Sequence, residues 1–392
     1  MTTLAIDRIS EPEVDALLRG KRLGVISAAS GLSASLRYPL DLLRERYDVA
    51  ALFAPEHGVR GMLGPGEGVR GGKERFSSLP VYSLFEDFFT SPGGAEADRA
   101  YQPAPEALDG IDAMVFEMQD AGARFFTYSS TLFYCMRACA ARDLPLIVLD
   151  RPNPLGGTVG GGGCGEGFRS FIGIADIPLR HGLTLGELAR WFNGECRLGC
   201  PLTVVPMRGW SREMLYDDTG LPFVPPSPNL PSTDALLAYP GTCLLAGTNV
   251  SDGRGTTTPF TVLGAPFIDP FRLAEALNAE DLPGVSFSPA FFSPLFSRYA
   301  GEPLYGVRLH FTSRRSFDPV RCGVTLVRLL TRLYPDDFRF TPPSGGERWH
   351  IDLSSGSSDL RMGTLSAPAL LAKWQNEAEA FKEKAKPYLM YR

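Results

Sequence analysis

The chain has 392 residues, more than one ordinary domain holds, and 44% of them are apolar, enough for a sizeable core. Its formal net charge of −5 is mild and speaks against nucleic acid or an acidic membrane surface as a partner. No apolar run reaches the roughly 20 residues that span a bilayer. The N-terminal MTTLAIDRISEPEVDALLRGKRLG lacks a basic stretch followed by an apolar one, so the chain as it stands reads as cytoplasmic, or as exported if a signal peptide has been removed.

Four segments share one pattern: RLGVIS (22–27), VAALFAPEH (49–57), DAMVFEMQD (112–120) and PLIVLDRPN (145–153). Each is a short apolar run that ends abruptly in polar residues, which predicts strands buried on both faces of a parallel sheet. Between them, residues 35–48 and 129–143 carry apolar residues at three- and four-residue spacing and predict helices. The alternation implies an α/β fold with right-handed crossovers. The glycine-rich LGGTVGGGGCGEGFRS is a loop. A helix over 183–195 comes next, with Thr184 as N-cap and Glu187 completing a capping box, and then a strand over 201–207. PFVPPSPNLP (222–231) reads as a linker or as a rigid wall of a site, and the wall is the favoured reading because the long polar loop GTNVSDGRGTTTPF (247–260) follows closely. After about residue 265 the texture changes. A strand over 305–313 and helices over 318–335 and 370–389 predict a smaller α+β domain, so the expected division is 1–265 and 266–392.

In an open α/β sheet, ligands bind outside the carboxyl ends of the strands. Three predicted strands end in candidate chemistry: Glu56-His57-Gly58, Glu117 with Gln119 and Asp120, and Asp150-Arg151-Pro152-Asn153. Asp120 and Asp150 could equally cap a following helix. Glu is a poor cap, so Glu56 carries the functional reading. Two G-x-G-x-x-G sets, Gly66/Gly68/Gly71 and Gly160/Gly162/Gly165, lie outside a strand-to-helix turn and read as flexible loops. There is no Walker motif, G-x-S-x-G elbow or H-E-x-x-H. Four scattered histidines and seven scattered cysteines suit neither a metal site nor a disulfide framework, and no cofactor is expected. Arg124, Arg151, Arg180 and Arg254 lie in the loops. Singly, each suits an ion pair; together they suit a small anionic ligand. Paired carboxylates without a metal or redox motif point to glycosidic-bond hydrolysis.

Taken in order, LFAPEHGVRG, VYSLF, FEMQDAGARFFTYSSTL, VLDRPNPLGG, FRSFIG, PLRHGLTLGELARWFNGE, PPSPNLP, GTNVSDGRGT and the tail LRMGTLSA…YLMYR resemble the exo-β-N-acetylmuramidase family, once known only as a domain of unknown function. The match runs nearly end to end. The resemblance implies a Rossmann-like catalytic domain without a nucleotide, a smaller C-terminal domain completing a cleft, and release of N-acetylmuramic acid from non-reducing ends in peptidoglycan recycling. The implied partner is a small carbohydrate, a disaccharide or muropeptide. Glu56 and His57 match one family motif; Gln119, Asp120, Gly122, Arg124 and Tyr128 match the next; Asp150, Arg151, Pro152 and Asn153 match a third. Glu117 stands where the family more often has Asp, Ala246 stands where Glu is expected, and GGKERFSSLP departs from the pattern.

These matches set the expected roles. Glu56 is the general acid, kept protonated by partial burial. Asp120 is the second carboxylate, and His57 and Tyr128 orient. Glu117, Gln119, Arg124, Asp150, Arg151 and Asn153 are expected to bind substrate, together with Arg180, His181, Asn229, Asn249 and Arg254. Arg180 ranks first as reader of the lactyl carboxylate, because it precedes His181 at a helix start where backbone N–H groups favour an anion. The alternative, motivated by Ala246, is a catalytically weakened sugar- or muropeptide-binding protein of the same fold.

Overall fold

The computed structural model describes residues 2–85, 101–343 and 348–392. Strands β1 (Arg22–Ser27), β2 (Asp48–Ala54), β3 (Gly72–Lys73), β4 (Pro80–Ser83), β5 (Ala113–Glu117), β6 (Leu146–Leu149) and β7 (Leu202–Val205) form one sheet in the order β3-β4-β2-β1-β5-β6-β7. Every pairing is parallel except β3 on β4. The chain leaves β1 for β2 on one side and returns to pair β5 on the other. The carboxyl ends of β1 and β5 therefore flank the point where strand order reverses, which is where such sheets bind ligands.

The continuous apolar runs result from burial on both faces. In β5, Met114 and Phe116 enter one core while Ala113 and Val115 enter the other; β6 divides Leu146 and Val148 from Ile147 and Leu149 in the same way. Helices α1 (Pro12–Leu18), α2 (Pro39–Arg44), α3 (Tyr128–Ala140) and α4 (Leu185–Glu195) accompany this sheet. The helix expected over 35–48 is only six residues long, opening at Pro39, whose fixed φ suits a first turn. Helix α4 carries the expected capping box between Thr184 and Glu187.

A second, antiparallel sheet has the order β8-β10-β9, from β8 (Val262–Ala265), β9 (Val285–Phe292) and β10 (Leu304–Phe311). It is accompanied by α5 (Thr233–Thr242), α6 (Pro270–Asn278), α7 (Pro319–Leu333), α8 (His350–Ser355), α9 (Asp359–Met362) and α10 (Ala367–Ala385). Its core residues Leu263 and Val307 belong to the same apolar cluster as Met114 and Phe116, so the two sheets share one continuous interior. Helices α5 and α7 cross in backbone contact at Gly241 and Gly323: a Cβ on Gly241 would lie 1.8 Å from the Pro319 carbonyl oxygen. The C-terminus returns to the first sheet, where Tyr391 Oη donates to Asp150 Oδ2 at 2.6 Å.

Candidate active site

β2 delivers Glu56. Pro55, with no N–H to offer the ladder, ends the strand. His57 (φ 70°) and Gly58 (φ 75°) then turn left-handed, with the Gly58 N–H donating to the Pro55 carbonyl at 2.9 Å. A left-handed histidine costs about 1–2 kcal/mol, strain that aims a side chain at a fixed point. Glu56 is 9% exposed. Its Oε1 accepts the Gly66 N–H at 2.7 Å, and its Oε2 lies 2.5 Å from Thr127 Oγ1. An N–H only donates, so the proton of the acid form belongs on Oε2, where the Thr127 hydroxyl can accept as well as donate. Gly66 (φ 75°) belongs to the first of the two glycine sets. The sequence made that set a flexible loop, yet here it holds the carboxyl. His57 Nδ1 sits 3.0 Å from the Leu63 carbonyl, which fixes the proton on Nδ1 and leaves Nε2 for other partners.

In front of Glu56 lies a cavity of about 260 Å³, lined by both halves of the chain. Phe125, Phe126, Tyr239 and Phe260 form its apolar side, with edge contacts of 5.0 Å between Phe125 and Tyr239 and 4.9 Å between Tyr239 and Phe260. Ser227, Asn229 and Leu230 come from the proline-rich segment, which is indeed a wall. Asn229 Nδ2 is buried with no partner among the described residues, a spare donor on a residue that lines the cavity. His350, on α8, is pushed down to about 4 by burial and by the guanidinium charges of Arg254 and Arg298, so it is neutral at ordinary pH.

Arg254 is the arginine of this cavity among the described residues. It lies 5.2 Å over the Phe260 ring, 3.3 Å from Asp252, and its Nε has no hydrogen-bond partner. Beside it, a second chamber is lined by Ala246, Asp252, Arg254, Ser297 and Arg298. Glu56 is the single carboxylate lining the main cavity among the described residues.

Residues 23–234 match the model of the N-terminal domain of exo-β-N-acetylmuramidase NamZ, and residues 237–391 match that of its C-terminal domain. The chain belongs to the exo-β-N-acetylmuramidase family. It is a glycoside hydrolase. It is 40% identical to the peptidoglycan β-N-acetylmuramidase NamZ of Bacillus subtilis (strain 168), over 97% of this chain and 89% of that protein. Crystal structures of two DUF1343 family proteins from Bacteroides fragilis NCTC 9343 share its fold, with TM-scores of 0.87 at 33% identity and 0.77 at 29%; each alignment covers 100% of this chain and 99% of the other. Among the described residues no helix is long and apolar enough to cross a membrane.

Of the residues expected to form the exo-β-N-acetylmuramidase site, Glu56, His57, Asn229 and Arg254 line the cavity. The others lie outside its lining, most of them in a buried polar layer. Asp120 is 2% exposed; its Oδ2 accepts from the Gly122 N–H at 2.9 Å and lies 3.1 Å from His181 Nε2, while Oδ1 has no partner. Tyr128 is 1% exposed, its hydroxyl 3.4 Å from the Pro226 carbonyl; burial, with Glu56 and Asp120 nearby, raises its pKa and keeps the phenol neutral. Glu117 is wholly buried against Arg151 Nη1 at 2.5 Å, and burial pushes its carboxyl up to about 7 despite that guanidinium. Gln119 Nε2 donates to the Asp120 and Pro152 carbonyls, and Arg151 Nη2 to that of Leu32.

Asp150 and the arginines need the largest correction. Asp150 accepts from Tyr391, from Thr184 Oγ1 at 2.7 Å and from the Gly186 N–H at 2.8 Å, tying β6 to the start of α4 and to the C-terminus. Burial pushes it up to about 7, against the hydroxyls of Tyr391 and Thr184. Asn153 Nδ2 donates to the Leu183 carbonyl. Arg124 is buried and donates to three carbonyls, those of Gly162, Ile177 and Ser354. Arg180 donates to the Leu155 carbonyl and lines a separate pocket with Asp318 and Arg321; burial pushes its pKa down to about 10. Asn249 joins the Asp337 carbonyl and the Arg339 N–H, away from the cavity. Sequence reasoning missed Thr127, Tyr239 and Phe260; only Thr127 had a signal, its place one residue before Tyr128 in FFTYSS.

Proposed function

We propose that this chain cleaves the β-glycosidic bond behind a non-reducing-terminal N-acetylmuramic acid in peptidoglycan fragments, with Glu56 as general acid. The observation that carries this reading is the fixing of the Glu56 carboxyl on both oxygens, by Gly66 and Thr127, at the wall of a cavity. Glu56 is the one carboxylate lining the cavity among the described residues, and in this reading the second oxygen that reaches C1 is supplied by the substrate's own 2-acetamido carbonyl. As the C1–O bond breaks, Glu56 gives its proton to the leaving oxygen and the acetamido oxygen bonds to C1, forming an oxazolinium. Water then attacks C1, passes its proton to Glu56 and reopens the ring, so the sugar leaves with its β configuration. Asn229 Nδ2 is suited to holding the acetamido or a neighbouring hydroxyl oxygen.

Arg254 takes the place given to Arg180 as reader of the lactyl carboxylate, because it lines the cavity while the guanidiniums of Arg124 and Arg151 are bound to carbonyls and to Glu117, and Arg180 lines a separate pocket. The non-catalytic alternative gains no support: Ala246 lines the side chamber and leaves the Glu56 contacts intact. The test is turnover of matched aryl β-glycosides of N-acetylmuramic acid and N-acetylglucosamine, with the product anomer followed by proton NMR. We expect muramic acid selectivity, β product first, and a selectivity loss of roughly 10- to 100-fold in Arg254→Ala, the worth of one charge-assisted pair. Binding without turnover would sink the activity; α product would sink the acetamido route; unchanged selectivity would remove Arg254.

A further inference from the structure

We propose that the open groove on the far side of His57 holds the leaving chain, and that it selects a chain carrying carboxylates. The inference rests on Glu56 being the acid, and reaches beyond the cavity in front of it. An acid that protonates a glycosidic oxygen stands between the sugar released and the chain left behind. His57, next to Glu56, lines both that cavity and a second space of about 1170 Å³. The small chamber has room for a terminal sugar. The large one runs out over the segment from Arg60 to Phe76, whose Gly66 also holds Glu56.

The groove is built to meet sugar rings and anions. Of the large apolar side chains left exposed, Tyr38, Met62 and Phe76 all line it, at 38%, 85% and 76% exposure. Arg60 sits over both aromatic rings, 5.0 Å from that of Tyr38 and 5.9 Å from that of Phe76. It is itself held 3.3 Å from Glu74 and 3.7 Å from Asp41. Glu74 in turn accepts the backbone N–H groups of Phe76 and Ser77 at 3.1 and 2.6 Å, so the turn presenting Phe76 is fixed. Rings so placed suit the C–H faces of pyranoses.

Three acids line the groove against four cations, Arg60, Arg70, Lys73 and Arg75: Glu74 and Asp41 lie against Arg60, while Glu67 accepts the Gly64 N–H at 2.9 Å and keeps its charge. Arg70 and Lys73 are exposed and form no ion pair among the described residues. A groove with one cation in excess, two of its cations being the exposed Arg70 and Lys73, suits the unit beyond the first leaving sugar in peptidoglycan, a second muramic acid bearing either its bare lactyl carboxylate or a peptide stem ending in carboxylates. A lysine on the edge strand β3 also guards that edge against pairing, a role that would leave substrate preference untouched.

Three substrates decide the matter: an aryl N-acetylmuramic acid glycoside, the disaccharide with N-acetylglucosamine, and the tetrasaccharide. In the wild-type protein the tetrasaccharide should have the lowest KM. Arg70→Ala/Lys73→Ala should raise that KM about five-fold, with kcat/KM on the aryl glycoside within about two-fold. Phe76→Ala should raise KM for both oligosaccharides. High salt should erase the tetrasaccharide's advantage in the wild type and change little in the double variant. A tetrasaccharide with a peptide stem on its second muramic acid separates the sources: a further fall in KM names the stem, no further fall names the lactyl group. Equal KM for all three substrates, or equal losses on all three in the variants, overturns the proposal. Should the aryl glycoside not be hydrolysed at all, the assigned activity fails instead, and calorimetry with di- and tetrasaccharide still judges the groove by the same inequality.

Discussion

In the proposed mechanism Thr127 acts on the reaction through Glu56. Its hydroxyl lies 2.5 Å from Oε2 and is the group that can follow a proton arriving at or leaving that oxygen. Thr127→Val should lower kcat about ten-fold, with KM for the aryl glycoside nearly unchanged, and Thr127→Ser should restore most of the loss. A variant whose KM rises while kcat holds would make Thr127 a packing residue of the wall. The same reasoning explains why Glu56 was legible from sequence and its supports were not. A glutamate between an apolar strand and a glycine is conspicuous. The Gly66 N–H that holds it is a backbone group ten residues away, to which no side-chain pattern refers.

Arg124 belongs to the scale of elements. It joins the glycine-rich loop, through Gly162, to the segment before α4, through Ile177, and to α8, through Ser354. Three buried carbonyls lose their donor in Arg124→Leu, which should cost about 3 kcal/mol or more. A large fall in Tm with unchanged sugar selectivity in the surviving folded protein is the expected pair of results; a selectivity change with normal stability would return Arg124 to the binding role. Elements were the easiest level to read. Runs such as RLGVIS coincide with β1 because both faces of the sheet are covered and the strand is buried from Leu23 to Ser27, which favours a continuous apolar run. β8, β9, α5 and α6 were not foreseen. The strand β9 (VSFSPAFF) has an irregular burial pattern and a proline in it, and α5 holds Pro240 and Gly241, so neither shows a clean period. The convergence of strand ends was predicted rightly, but not its depth. Asp120, Asp150 and Arg151 sit where the sheet ends, and that place is interior, because Tyr391 and the loops before α4 close over it.

At the scale of the whole molecule, that buried polar layer makes stability depend on pH. Glu117 and Asp150 are pushed up to about 7 from ordinary values of 4.5 and 3.8. A carboxyl with a raised folded pKa binds more protons folded than unfolded, so its contribution is complete below the unfolded pKa and is lost as pH rises through about 7. Buried His350, pushed down to about 4, works in the opposite direction over part of that range, one group against two. Tm should therefore fall between pH 5 and pH 7.5 in scanning calorimetry, and Glu117→Gln should flatten the slope while lowering Tm overall, since Arg151 is left without its counter-charge. A Tm that rises across this window would mean that the two carboxyls are ionised without penalty.

In the proposed mechanism Glu56 donates the proton to the departing chain. A general acid matters most when the leaving group is poor, so the decisive measurement is kcat of Glu56→Gln on two substrates: the natural disaccharide, whose sugar alkoxide leaves badly, and the dinitrophenyl glycoside of N-acetylmuramic acid, whose phenolate leaves unaided. The expected result is a loss of about 100-fold or more on the disaccharide, a much smaller loss on the dinitrophenyl glycoside, and an unchanged Tm. Equal losses on the two substrates, or wild-type kcat on the disaccharide in a folded variant, would contradict the assignment.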